Sequence, residues 1–131
     1  GQALIGFLVM HGVISLWFVF TLVSSHLAEE TEFPQVGADN RLPYSWMAHQ
    51  VATSLDFHPR SRAAGWLFGG FNAHVAHHLF PAVCHVHYAH ISKIIRQTAD
   101  EFQYPYHETT LFRAIGSHFR YLRKLGVGQL T

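Results

Sequence analysis

Residues 3–23 decide most of what this chain can become. From Ala3 to Val23 the sequence is apolar except for His11, Ser15 and Thr21. At 1.5 Å per residue such a stretch reaches roughly 30 Å, the thickness of a bilayer's hydrocarbon core. It predicts a transmembrane helix, and its apolar core is too long for a signal peptide. A buried core helix is the competing account. It demands that the rest of the chain wrap an apolar rod on all sides, which so short a remainder is poorly able to do.

Composition supports the membrane class. Hydrophobic residues make up 49% of the 131 positions and charged residues only 13%, about half the charged share of an ordinary soluble domain. Nine Lys and Arg against eight Asp and Glu leave no strong field, so nothing suggests a nucleic-acid partner. Cys84 is the single cysteine; it permits no intrachain disulfide and reads as a packing residue. All nine basic residues, from Arg41 to Lys124, follow the span, which orients the C-terminal side towards the cytoplasm. The chain opens on Gly1-Gln2 without methionine and reads as the C-terminal part of a longer protein. The expected fold is all-α and integral to the membrane: one transmembrane helix over 3–27, then a cytoplasmic helical metal-binding cap over 28–131.

Within that cap, Glu29 to Pro43 is a loop punctuated by Pro34, Gly37, Asp39-Asn40 and Pro43. Tyr44 to Leu55 forms a short helix whose Tyr44 and Trp46 suit a membrane interface. Asp56 to Arg60 is a turn, and Ala63 to Gly70 a brief apolar piece too short to span. Asn72 is placed to cap the next helix, which Pro81 ends. Tyr88 to Phe102 has an apolar stripe of Ile91, Ile94, Ile95 and Phe102. A last helix from Thr109 to Gly126 repeats Phe112, Ile115, Phe119 and Leu122 at helical spacing. Its Arg113, Arg120, Arg123 and Lys124 collect on another side, a pairing that suits an anionic membrane surface.

The chain carries twelve histidines. His74, His77 and His78 lie at i, i+3 and i+4, which on a helix returns them to one face. Stacking imidazoles on one stripe costs stability unless a ligand compensates, so the cluster points to a metal. Imidazole suits zinc, copper, iron and nickel alike. His26, at the membrane exit beside Glu29 and Glu30, sits at the depth of such a site. His11 reads as a structural group within the span. His85, His87 and His90 do not share a face as the first three do and read as exposed or supporting positions.

The run Gly69-Gly70-Phe71-Asn72-Ala73-His74-Val75-Ala76-His77-His78-Leu79-Phe80-Pro81 resembles the third histidine box, (His or Gln)-x-x-His-His, of the membrane-bound fatty acid desaturases. Trp46 to Leu55, Val83 to Tyr88 and Ala99 to Gly126 are similar to flanking regions of the same family, so the likeness covers most of the chain. The resemblance implies a di-iron centre with His74, His77 and His78 as ligands. Ser25-His26 is similar to the family's additional histidine at the end of a late membrane helix, which makes His26 a fourth ligand. Asn72 and Gln50 would support the shell, and His49 would orient a ligand or a peptide group.

The implied reaction is dioxygen-dependent conversion of an acyl chain, on a lipid or on coenzyme A, to a cis double bond, with electrons from a cytochrome b-type or ferredoxin donor. His74 stands where front-end desaturases commonly carry Gln, so the position of the double bond is open. The family's first two histidine boxes are not among these residues, and the chain alone is expected to be inactive. A lipid hydroxylase of the same histidine-box superfamily stays open as an alternative, as does a membrane metal-binding or transport protein.

Overall fold

The computed structural model describes residues 1–129; the last two positions of the expected cap lie outside the described residues. Its first element, α1 (Gln2–Thr21), continues through a 3-10 turn at Val23–Ser25. No side chain between Gln2 and Val19 is buried, and the segment Gln2–Ser25 is long and apolar enough to cross a membrane. Among the described residues nothing encloses this helix, as a core helix would require. At its end the helix turns polar without fraying: Thr21, Ser24 and Ser25 return their hydroxyls to the carbonyls of Trp17, Phe20 and Thr21. Local bonds of this kind satisfy hydroxyls that would otherwise be stranded where the apolar stretch stops.

The packed part is mostly helical, with α2 (Trp46–Ala52), α3 (Arg62–Leu67), α4 (His74–Leu79), α5 (Tyr88–Glu101) and α6 (Leu111–Gly126). Local chemistry sets the boundaries. The hydroxyls of Ser45, Ser61 and Thr110 accept from Ala48, Ala64 and Arg113 N–H and so cap α2, α3 and α6. Gly70 stands at φ +84°, and a Cβ there would meet the Cβ of His85 at 2.4 Å, so only glycine lets the chain pass under the 3-10 turn His85–His87.

The expectation of an all-helical fold is corrected at one place. Residues Leu55–Phe57 (β1) and His107–Thr109 (β2) form a parallel pair, with Leu55 opposite His107, Asp56 opposite Glu108 and Phe57 opposite Thr109. Sequence reading assigned these residues to a helix end and a turn, because three-residue strands carry no readable alternation. The pair is structural rather than decorative. All three residues of β1 are fully buried, and Leu55 and Phe57 join Ala28, Phe68 and Ala114 in one core cluster. A second cluster gathers Val51, Val75, Tyr88 and Ile95 around α4. β1 thus runs between the turn that ends α1, the histidine helix α4 and the last helix α6.

The apolar stripes divide between buried and exposed positions. In α6 the buried residues are Ala114, Ser117, His118 and Tyr121, whereas Phe112 and Phe119 are exposed. In α5 Ile95 is buried and Ile94 and Phe102 are not. Small residues let helices approach closely, which is why Ala and Ser rather than Phe face the core here.

Truncating the buried strand tests this arrangement. Leu55→Ala should destabilise the packed part by about 2–5 kcal/mol and Phe57→Ala by about 3–5 kcal/mol. Trp66→Ala, at a side chain 82% exposed, should stay within about 0.5 kcal/mol. Denaturant unfolding of the intact protein in detergent, followed by far-UV circular dichroism, measures the difference.

Candidate metal centre

Three imidazoles meet where α1 ends. His26 leaves the 3-10 turn half-buried, His74 opens α4 almost fully buried, and His78 follows one turn later. The Nε2 of His26 lies 2.8 Å from that of His74 and 3.2 Å from that of His78, and one nitrogen from each of the three rings fits within 4.8 Å. The expected trio of His74, His77 and His78 is therefore drawn differently: His77 stands aside, its ring centroid 5.9 Å from His74 and 5.8 Å from His78. Helix geometry explains the split. At 100° per residue His74 and His78 differ by about 40° in direction, while His77 and His78 differ by about 100°.

Tautomers sharpen the point. The Nδ1 of His26 faces the carbonyl of Thr53 at 3.4 Å, and the Nδ1 of His74 faces that of Phe71 at 3.3 Å. A carbonyl only accepts, so each Nδ1 carries the proton and each Nε2 presents a lone pair. Two lone pairs 2.8 Å apart repel unless a cation stands between them. Burial, with the neighbouring His26 charge second, pulls the His74 pKa down to about 3 and that of His78 to about 4, so neither of these two rings holds a proton at neutral pH. Imidazole nitrogens about 2.1 Å from one metal ion and at right angles to each other lie about 3.0 Å apart. The two separations from His26 bracket that value, and every donor is an imidazole nitrogen. The residues fit a first-row transition metal.

The supporting shell holds most of what sequence reading missed. Asp56, read as a turn residue, is fully buried at the start of α4: its Oδ1 accepts from Val75 N–H at 2.9 Å and its Oδ2 from the Tyr106 hydroxyl at 2.7 Å. Burial pushes its carboxyl up to about 7, opposed by the Val75, Tyr106 and His74 hydrogen bonds. Asp56 therefore does for α4 what Asn72 was expected to do. Asn72 does not cap: it donates from Nδ2 to the carbonyl of His58 at 3.0 Å, and Ala73 takes the cap position. Its Oδ1 and the Nδ1 of His49 are buried without hydrogen-bond partners among the described residues. His49 borders the same cavity as His26 and Thr53. Gln50 is half-buried on α2.

On the other side, α6 secures His26. The Nδ1 of His118 donates to the carbonyl of Leu27 at 2.7 Å, and Ser117 accepts from Glu29 N–H at 2.9 Å and donates to the Glu30 carboxylate. Glu29 also pairs with Arg120 and Lys124, which employs both acidic residues next to His26 in holding the turn. Polar Ser117 and His118 inside an amphipathic helix were the available signal. His85, His87 and His90 stay exposed.

Comparison with known proteins now decides the family. The profile of the family described as Fatty acid desaturase matches residues 2–110. The chain belongs to the fatty acid desaturase family. Among its relatives, the acyl-lipid (8-3)-desaturase of Physcomitrium patens is 37% identical over 129 residues, 97% of this chain and 27% of that protein. The sn-1 linoleoyl-lipid 6-desaturase of Arthrospira platensis is 35% identical over 92% of this chain and 32% of its own length. The acyl-lipid (8-3)-desaturase of Mortierella alpina is 34% identical over 97% of this chain and 29% of its own. This desaturase chain thus spans less than a third of the length of these curated relatives. No solved structure matches it.

Two outcomes test the site. Asp56→Ala removes the acceptor for the α4 N-terminus and should cost about 1–3 kcal/mol, with a parallel loss of metal affinity in the intact protein measured by metal analysis after dialysis against a chelator. Acid provides the second. Both depressed histidine pKa values lie below the ordinary 6.5, so the folded form binds fewer protons than the unfolded form. Their contribution to stability is whole above pH 6.5 and is lost as the pH falls towards 4 and 3. Thermal melts of the chelator-treated protein at stepped pH should show that decline.

Proposed function

We propose that the intact protein carrying this chain is an acyl-lipid desaturase that uses iron and dioxygen to introduce a double bond into a membrane-resident acyl chain. The observation that carries this reading is the convergence of His26, His74 and His78 at the end of a helix apolar enough to span a membrane. Membership of the desaturase family and the names of the relatives support the reaction class.

In this reading His26, His74 and His78 hold one iron, and His77, whose ring stands apart, contributes to a second. The remaining ligands come from histidine boxes elsewhere in the intact protein, so residues 1–131 alone do not complete the centre. Bound iron supplies, with dioxygen and electrons from a cytochrome b-type or ferredoxin donor, an oxidant strong enough to take hydrogen from an unactivated methylene. The chain's own residues do the positioning. Thr53 and Phe71 carbonyls fix the tautomers that point Nε2 inward, Asp56 holds α4, and Ser117 and His118 hold the turn that carries His26. His49 and Gln50 lie on α2, and the unpartnered His49 Nδ1 gives it a polar atom to offer the shell.

A lipid substrate agrees with the surroundings. An apolar groove of about 300 Å³ runs between α2, α4 and α5, bordered by Leu79 and Phe80 from the end of the histidine helix. Hydrocarbon-compatible surface therefore begins at the residues that directly follow His78 in the histidine helix. The basic residues that follow the span support a cytoplasmic placement of residues 28–131.

Substitution of one ligand decides the matter. His78→Ala in the intact protein, expressed in a host fed saturated or monounsaturated acyl chains, should lower unsaturated product by at least about 100-fold, the upper end of what loss of a supporting residue alone costs, and should lower bound iron. His77→Ala should do the same. Unsaturated product at the wild-type level in either variant removes that residue from the ligand set, and oxygenated rather than unsaturated product from the wild type replaces desaturation by hydroxylation.

A further inference from the structure

A second cavity lies away from the imidazole cluster. It holds about 290 Å³, and its walls include Arg60, Arg62, His87, His90 and Lys93, with no carboxylate among them. Arg60 is engaged by Glu108 at 2.5 Å, whereas Arg62 and Lys93 form no ion pair among the described residues. Two uncompensated cations from α3 and α5, with imidazoles between them, form a concave surface suited to a phosphate.

Two further observations narrow the ligand. Arg62, Val86 and Ala89 also wall an adjoining cavity of about 200 Å³. Asn72 lines that cavity; it is only 1% exposed, and its Oδ1 has no hydrogen-bond partner among the described residues. With its Nδ2 committed to His58, the free atom is an acceptor and asks for a hydroxyl or N–H from whatever enters. The second observation is depth. Phe68, which ends α3, stacks on Trp17 of α1 with ring centroids 5.1 Å apart. Trp17 lies eight residues before Ser25, about 12 Å along the helix axis. One end of α3 therefore lies beside the apolar stretch of α1, while Arg62 opens the helix at its other end, about 9 Å away. Trp66 between them is 82% exposed, as an interfacial indole is. Charged residues at one end of a short helix and aromatic residues at the other, beside an apolar span, suit the headgroup level of a bilayer.

We propose that these joined cavities bind the headgroup of an anionic, hydroxyl-bearing phospholipid, with its phosphate on Arg62 and Lys93 and a hydroxyl donating to Asn72 Oδ1. The proposal relies on α1 spanning a bilayer and not on the reaction assigned above. A lipid held there anchors the packed part against the membrane through a site distinct from the metal centre.

Native mass spectrometry of the intact protein in detergent tests it without any catalytic readout. Phosphatidylglycerol should be retained in preference to phosphatidylcholine, which has no hydroxyl to donate, and to phosphatidic acid, which lacks the glycerol hydroxyls. The double variant Arg62→Gln, Lys93→Gln should weaken that retention by about tenfold or more, the scale of losing charged hydrogen bonds. Arg113→Gln, an exposed cation on α6, should not, and far-UV circular dichroism of each variant establishes that it is folded. Equal retention of the three lipids, or equal retention by the double variant, overturns the proposal. So does binding of inorganic phosphate with no lipid retained, which makes the cavity a soluble-phosphate site. Loss of an acidic protein partner with lipid retention intact assigns the same cations to a protein surface and also overturns it.

Discussion

A buried carboxylate holds the centre of this structure together. Asp56 sits at the start of the histidine helix, takes the Val75 N–H on one oxygen and the Tyr106 hydroxyl on the other, and does so with none of its surface exposed. Burying a carboxyl is costly unless hydrogen bonds replace its water. Here the replacements come from two different parts of the chain, so the same group that orients α4 also draws the segment before β2 against β1. The parallel pair then follows, and with it the long connection through α3, α4 and α5. Without that anchor α4 is a six-residue helix with little reason to persist, since isolated helices of this length are marginal in water.

Much of the design was legible in the residues. The apolar run from Ala3 announces its helix by length alone, and the spacing of His74, His77 and His78 announces a cluster. What spacing could not tell is which histidines converge. A face shared within about 100° admits two partners more easily than three, and the third ring, His26, arrives from a distant element. Its candidacy came from likeness to a family rather than from periodicity. The short strands were illegible because they offer no alternation, and Asp56 was read as a turn residue because acidic residues beside Phe-His-Pro usually are. The stripe of Phe112 and Phe119 was legible as apolar, but sequence records apolarity and not which face a helix turns inward, and both side chains stay exposed. The small residues Ala114 and Ser117 were the ones that met the core.

The site also shows how a polar cluster is made affordable at the edge of a lipid phase. Two of the three imidazoles, His26 and His74, are each steered by a carbonyl behind them, and each carbonyl belongs to backbone that is itself ending or starting a helix. Thr53 ends α2, and Phe71 lies just ahead of α4. Helix ends have carbonyls and N–H groups to spare, so an imidazole cluster steered from them uses groups that already lack partners. The acidic residues next to His26 are occupied by α6, which leaves the donor set made of nitrogen.

Because His26 is carried on the continuation of α1 while His74 and His78 belong to the packed part, α1 and the packed part share a single rotational phase. Lengthening the chain by one residue between Thr21 and His26 would swing that ring by about 100° around the helix axis, away from the other two. Chimeras that graft this cap onto a foreign membrane helix must therefore match the phase of the junction as well as its hydrophobic length.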